Sequence, residues 1–231
     1  PIVKEHNLSE AALFNTRLGL AYLKQGDRPR AKRKLLTALE QAPNSPGVNS
    51  AMAYFMEKAG MLDNARIYYQ KALSVGPDNG AQLNNYGAFL CRQGHYKQAE
   101  QYFLRAIKDV HYENTAAAYE NAGLCALAVP EDEKAKLYFN KALEQDPSRK
   151  QSLYELVQLE TKNNNQTAAL NLLQKHPNIS LRDSRLLSIA AHIAKREGKQ
   201  DLETDYRARL QQLSSVSEKT GVKNESSNNL G

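Results

Sequence analysis

Small and apolar residues recur along this chain in paired helical stripes. Leu18, Gly19 and Tyr22 share one face, and Ala31, Leu35 and Ala38 share another at i, i+4 and i+7, the periodicity of amphipathic helices. Gly26 stands between the two stripes, and Gly60 and Gly94 follow it at intervals of 34 residues. Each glycine falls where one helix would turn into the next. The pattern predicts helix–turn–helix units of constant length.

A 34-residue period with this punctuation is that of the tetratricopeptide repeat. Leu18, Gly19, Tyr22, Ala31, Leu35, Ala38 and Pro43 occupy the motif positions of residues 12–45, and Met52, Ala53, Met56, Ala65, Tyr69, Ala72 and Pro77 those of 46–79. The third repeat, 80–115, carries Tyr86, Gly87, Leu90, Ala99, Phe103 and Ala106; it lacks the closing proline and has a longer connector around His111 and Tyr112. In 116–149 the motif returns as Ala122, Gly123, Ala126, Ala135, Phe139, Ala142 and Pro147, with Pro130 replacing the turn glycine.

Beyond residue 150 the pattern weakens. Leu153, Leu156 and Leu159, a turn at Asn163–Asn165, then Ala168, Ala169, Leu172 and Leu173 suggest a degenerate pair over 150–183. A polar pair over 184–217, with Leu187, Ala190, Ala191, Ala194, Leu202, Tyr206 and Leu210, suits a terminal cap. The Ser/Asn-rich stretch 218–231 is expected to lack structure. The fold class is therefore all-α, a right-handed superhelix of about six helix pairs. Gly19, Gly87 and Gly123 are expected where the two helices of a pair press together, opposite Ala31, Ala65, Ala99 and Ala135. Asp27 and Ser45 read as N-caps, and Pro29 and Pro46 as first-turn residues.

Charge adds little. The net charge of +6 supports solubility and attraction to an acidic surface, without indicating nucleic-acid binding. Its clusters, Arg28, Arg30, Lys32, Arg33 and Lys34, then Lys195, Arg196, Lys199, Arg207 and Arg209, read as solvated helix faces. No apolar run reaches the roughly 18 residues of a membrane span. A chain opening at Pro1 without an initiator Met is expected to be a processed or trimmed product.

Catalytic and metal constellations are missing from the pattern. The five histidines form no His-Glu-x-x-His run, and there is no phosphate-cradling glycine loop or Gly-x-Ser-x-Gly elbow. Cys91 and Cys125 are too few for a disulfide framework, lack metal-ligand spacing and are expected as small buried thiols. The reading is of a non-enzyme that takes no cofactor and no nucleic acid.

Function is then expected on the concave face lined by the first helix of each pair. The family's inward positions fall on Leu13, Thr16, Leu20, Leu23 and Lys24; Gly47, Ser50, Tyr54, Glu57 and Lys58; Ala81, Asn84, Ala88, Cys91 and Arg92; and Ala117, Glu120, Leu124, Leu127 and Ala128. The candidate protein-binding residues are Leu13, Leu20, Leu23, Tyr54, Asn84, Asn85, Arg92, Glu120, Asn121 and Leu124. Asn85 and Asn121 either bond a peptide backbone or bond within the repeat. Lys58, Asn85 and Arg92 do not reproduce the carboxylate clamp of chaperone-binding repeats. Leu13, Leu20 and Leu23 at i, i+7 and i+10 are expected as an exposed apolar patch, covered by a partner or by a folded-back segment carrying Ile2, Val3 and Leu8.

The strings Leu83-Asn84-Asn85-Tyr86-Gly87-Ala88-Phe89-Leu90-Cys91 and Tyr119-Glu120-Asn121-Ala122-Gly123-Leu124-Cys125-Ala126-Leu127 closely resemble the PilF/PilW-type pilotins, the type IV pilus biogenesis and stability family. The resemblance implies an outer-membrane lipoprotein on the periplasmic face, helping the pilus secretin to reach the outer membrane and multimerise. Its partners would be the secretin or another pilus-assembly protein, with membrane contact only through a lipid anchor upstream of Pro1. The chain departs from the pattern at Ala53, Pro130 and the Ser/Asn tail. The alternative is a soluble repeat scaffold or co-chaperone serving another envelope or cytosolic complex.

Overall fold

The computed structural model describes residues 2–75 and 78–227, with side chains over 9–75 and 78–219. The described residues form thirteen helices and no strand. Pro77 and residues 228–231 lie outside them, as do the side chains of Ile2, Val3 and Leu8.

The chain divides into two compact units between Val129 and Pro130. The first contains α1 (Ile2–Lys24), α2 (Arg28–Gln41), α3 (Pro46–Lys58), α4 (Leu62–Ser74), α5 (Gly80–Arg92), α6 (Tyr96–Lys108) and α7 (Thr115–Ala128). Here α1 packs on α2, α3 on α4 and α5 on α6, while α1, α3, α5 and α7 contact one another in succession. Because α1 already begins at Ile2, residues 2–8 extend the helix and do not fold back across it.

Local chemistry accounts for the helix ends. Asp27 and Ser45 accept from the backbone N–H of Arg30 and Val48, satisfying first-turn donors, with Pro29 and Pro46 beside them. The turns inside the first three pairs use Gly26, Gly60 and Gly94 at φ of 81°, 79° and 84°, a left-handed conformation that costs a residue with a Cβ about 1–2 kcal/mol.

The core explains the close-packing residues. Ala31, Ala65 and Ala99 are fully buried. A Cβ on Gly19 would meet Leu35 at 2.8 Å, and one on Gly87 would meet the Phe103 ring at 2.7 Å, so these glycines let the paired backbones approach. Tyr69, Tyr86 and Phe89 form a buried ring cluster in the second and third pairs. The longer third connector also has work to do: Asp109 accepts from the Gly80 N–H at 2.7 Å, and Tyr112 packs where a side chain on residue 80 would stand.

The second unit contains α8 (Asp132–Gln145), α9 (Lys150–Lys162), α10 (Gln166–Lys175), α11 (Pro177–Ser180), α12 (Ser184–Arg196) and α13 (Gln200–Ser227). Leu153, Leu156, Leu159, Ala169 and Leu173 are buried as the weak pattern predicts, but Leu170 takes the core place expected of Leu172. Asn164, at φ 58°, substitutes for the turn glycine between α9 and α10. Tyr206 is the large side chain that α13 buries. The segment from Glu218, expected to lack structure, is helical as far as Ser227, because extending an existing helix requires no new nucleus.

Candidate protein-binding groove

The first unit contains an open groove of about 890 Å³ along α1, α3 and α5, reaching Asn121 of α7. Leu20, Leu23, Tyr54, Asn85, Arg92 and Asn121 line it, together with Lys24, Gly47, Ser50, Lys58 and Ala88 from the expected inward positions. Leu13, Asn84, Glu120 and Leu124 are not among its lining residues.

Several lining residues also hold the repeats together. Leu20 and Leu23 pack against a core of Ala31, Leu35, Ala51, Met52 and Phe55. They are half-buried, which corrects the expectation of a freely exposed patch: the short apolar stripe on α1 forms groove wall and core at once. Leu13 is 50% exposed and does not line the groove.

Asn84 is buried, a place reserved for satisfied polar groups. Its amide donates to the Tyr112 hydroxyl at 3.2 Å, and its oxygen accepts from Asn121 at 2.9 Å. Asn85 donates to Gln82 Oε1 at 3.4 Å, and Ser50 donates to the same oxygen. The asparagines thus bond within and between repeats, while Asn85 and Asn121 also face the groove. Glu120 and Leu124 lie on α7, Glu120 half-buried and Leu124 partly exposed.

Arg92 forms a two-pronged pair with Glu57, at 2.5 and 2.9 Å, whose carboxylate also accepts from the Tyr69 hydroxyl at 3.2 Å. Burial, followed by the Glu57 charge, pushes the Tyr69 phenol far above its ordinary pKa, so it remains a neutral donor. Arg92 and Glu57 therefore form a largely self-compensated floor.

The other cations of the lining are Lys24, Arg28 and Lys58. Arg28 donates to the Lys58 carbonyl at 3.1 Å, and the Lys58 ammonium lies 5.2 Å from the Tyr54 ring centroid. Asp27, the nearest acid in sequence, is paired with Arg30 at 2.6 Å. Among the described residues Lys24, Arg28 and Lys58 have no carboxylate partner. Arg28, Gly26, Ala51 and Tyr69 also line the groove although the expected inward positions omit them. They belong to inter-helix turns, second helices or packing faces, which a list confined to first-helix inward positions does not reach.

Cys91 of α5 and Cys125 of α7 form a disulfide with Cα atoms 5.9 Å apart, an ordinary Cα spacing for a bridged pair. This corrects the expectation of two buried thiols. The third repeat spans 36 residues, so the 34-residue separation places Cys125 two residues before Leu127, the equivalent of Cys91; the two cysteines nonetheless lie on neighbouring first helices, α5 and α7.

No group of three or more potential metal ligands occurs among the described residues, and none of the described helices is long and apolar enough to cross a membrane. The tetratricopeptide-repeat family profile matches residues 16–82 and 90–150. The type IV pilus assembly protein PilF of Pseudomonas aeruginosa is 30% identical over 213 residues, covering 92% of this chain and 84% of PilF. The solved Pseudomonas aeruginosa PilF structure superposes with a TM-score of 0.71 at 30% identity, covering 90% of this chain and 93% of that one. PilW, a type IV pilus biogenesis factor, shares the fold at a TM-score of 0.67 and 24% identity, covering 89% of this chain and 97% of PilW. An uncharacterised Haemophilus influenzae protein is 36% identical over 120 residues, 52% of this chain and 67% of its own length. With the repeat profile spanning more than half of the chain and PilF aligning over nearly all of it, the protein belongs to the PilF/PilW family of type IV pilus biogenesis tetratricopeptide-repeat proteins.

Proposed function

We propose that this protein acts in the periplasm as a pilotin, binding the pilus secretin and assisting its outer-membrane localisation and multimerisation. The observation that carries the reading is the 30% identity to PilF over 92% of the chain. The groove across the first three repeats supports this reading as the place for a partner segment. The Cys91–Cys125 bridge fits an oxidising compartment and weighs against a cytosolic scaffold. Attachment to the outer membrane would come through a lipid anchor upstream of the sequence, which the full gene tests directly.

The functional test is capture from the envelope extract of a piliated strain on immobilised protein, followed by mass spectrometry. The secretin is expected among the retained proteins. Leu20→Ser with Leu23→Ser is a poor probe, since both leucines support the core; Tyr54, 36% exposed, is the better one. Tyr54→Ala is expected to keep helicity and melting while losing secretin. Absence of secretin from the wild-type eluate refutes the proposed partner, and undiminished capture by Tyr54→Ala moves its site elsewhere.

A further inference from the structure

The distribution of charge in the groove says what kind of segment it selects. Three exposed cations line it, Lys24 and Arg28 from the first repeat and Lys58 from the second, and Arg28 donates to the Lys58 carbonyl. The acids that could neutralise them are already committed. Asp27 serves Arg30 and caps α2, while Glu57, only 7% exposed, is held by Arg92 and Tyr69. The groove therefore presents uncompensated positive charge beside a wall that includes Leu20, Leu23 and the Tyr54 ring.

We infer that this groove binds an acidic segment of a partner protein, with carboxylates against Lys24, Arg28 and Lys58 and an apolar side chain over Leu20 and Leu23. The inference rests on the reading of the groove as the partner site and adds the partner's chemistry. Charge complementarity at a partly open site selects against basic and neutral segments and accelerates encounter. Asn85 and Asn121 each donate one amide N–H within the repeats, and their carbonyl oxygens can accept from the backbone of an extended segment. A nucleic acid would also seek positive charge, but single-strand readers offer open aromatic faces for stacking. Here the aliphatic Leu20 and Leu23 form the wall, and the Tyr54 ring already has Lys58 beside it.

The test uses two fluorescein-labelled peptides of about ten residues with the same Leu and Tyr positions, one carrying four Glu and the other Gln at those four places. Fluorescence anisotropy should give the Glu peptide an advantage of about tenfold or more near 50 mM salt, shrinking as salt shortens the screening length. The advantage should disappear in Lys24→Glu/Lys58→Glu, weaken in Lys24→Gln/Lys58→Gln, and persist in Lys195→Glu/Arg196→Glu on α12. Equal affinity, including no binding of either peptide, overturns the inference. So does an advantage that survives Lys24→Glu/Lys58→Glu, or an oligothymidylate that competes as well as the Glu peptide. Because no secretin is present, failure here removes the acidic preference and leaves secretin capture to be judged by its own experiment.

Discussion

Opening the Cys91–Cys125 bridge should destabilise the first unit more than any single groove substitution. The bond joins α5 to α7 across a sequence separation of 34 residues, with α6 inside the closed segment. In the chain-entropy account, closing a loop of this length restricts the unfolded chain by about 4 kcal/mol. At the usual sensitivity for chains of this size, that corresponds to a fall in Tm of roughly 8–16 °C. Dithiothreitol treatment of the wild type opens the bond without removing atoms, and Cys91→Ala/Cys125→Ala removes it permanently; the two should agree apart from a small packing loss at buried Cys125.

The loss should also be local, because repeat proteins gain stability chiefly from neighbouring repeats. Hydrogen exchange after reduction should accelerate in α5, α6 and α7 more than in α9, α10 and α12, which belong to the other unit. A reduced protein that melts within about 0.5 kcal/mol of the oxidised one would place the effect in the range of ordinary surface changes and refute the entropic argument. Uniform acceleration across both units would refute the local one. Free thiols titrating in protein purified under non-reducing conditions from the periplasm would remove the premise.

Two further outcomes follow from the packing and the pH behaviour. Gly87→Ala places a Cβ at 2.7 Å from the Phe103 ring and 3.2 Å from the Ala99 carbonyl. Overpacking of about 1–3 kcal/mol should exceed the roughly 1 kcal/mol gained in helix propensity, giving a net loss in urea unfolding; a variant as stable as wild type refutes the close-approach account. Asp109 accepts from the backbone N–H of Gly80 and then of His111, which hold its carboxyl below the ordinary value of 3.8. Since the folded pKa is depressed, this contribution is present above the ordinary carboxylate range and is lost as pH falls through the folded value. The stability difference between wild type and Asp109→Asn should therefore shrink between about pH 5 and about pH 2, and a difference that stays constant on acidification refutes the assignment.

The fold was readable because each repeated position has a physical job that few residue types can perform. Glycine at 26, 60 and 94 supplies the left-handed turn, Gly19 and Gly87 permit close approach, and Ala31, Ala65 and Ala99 fill buried contacts. Where the turn uses Asn164 or the core shifts to Leu170, the signal fades because more than one residue type fills the place. The disulfide was missed for another reason. Cysteine counting asks whether a chain has enough bridges to replace a core, whereas this pair reinforces one contact between adjacent first helices in a chain that has a core already.

The groove was only partly legible, because inward position does not distinguish a residue that awaits a partner from one already employed. Asn84 occupies an inward place yet is consumed by Tyr112 and Asn121, and the connector that delivers Tyr112 is itself an irregularity in the repeat. Arg92 and Glu57 both point toward the site in the repeat pattern, but they neutralise each other, so the charge available to a ligand is set by their pairing. The opposite holds for Arg28, a second-helix residue in the repeat pattern, which reaches the groove and bonds to the end of α3. Under the proposed reading of the groove, specificity depends on which polar groups remain after the repeats have satisfied one another. The charged groups that remain, Lys24, Arg28 and Lys58, are basic, and a repeat motif defined by its small and apolar positions carries no information about them.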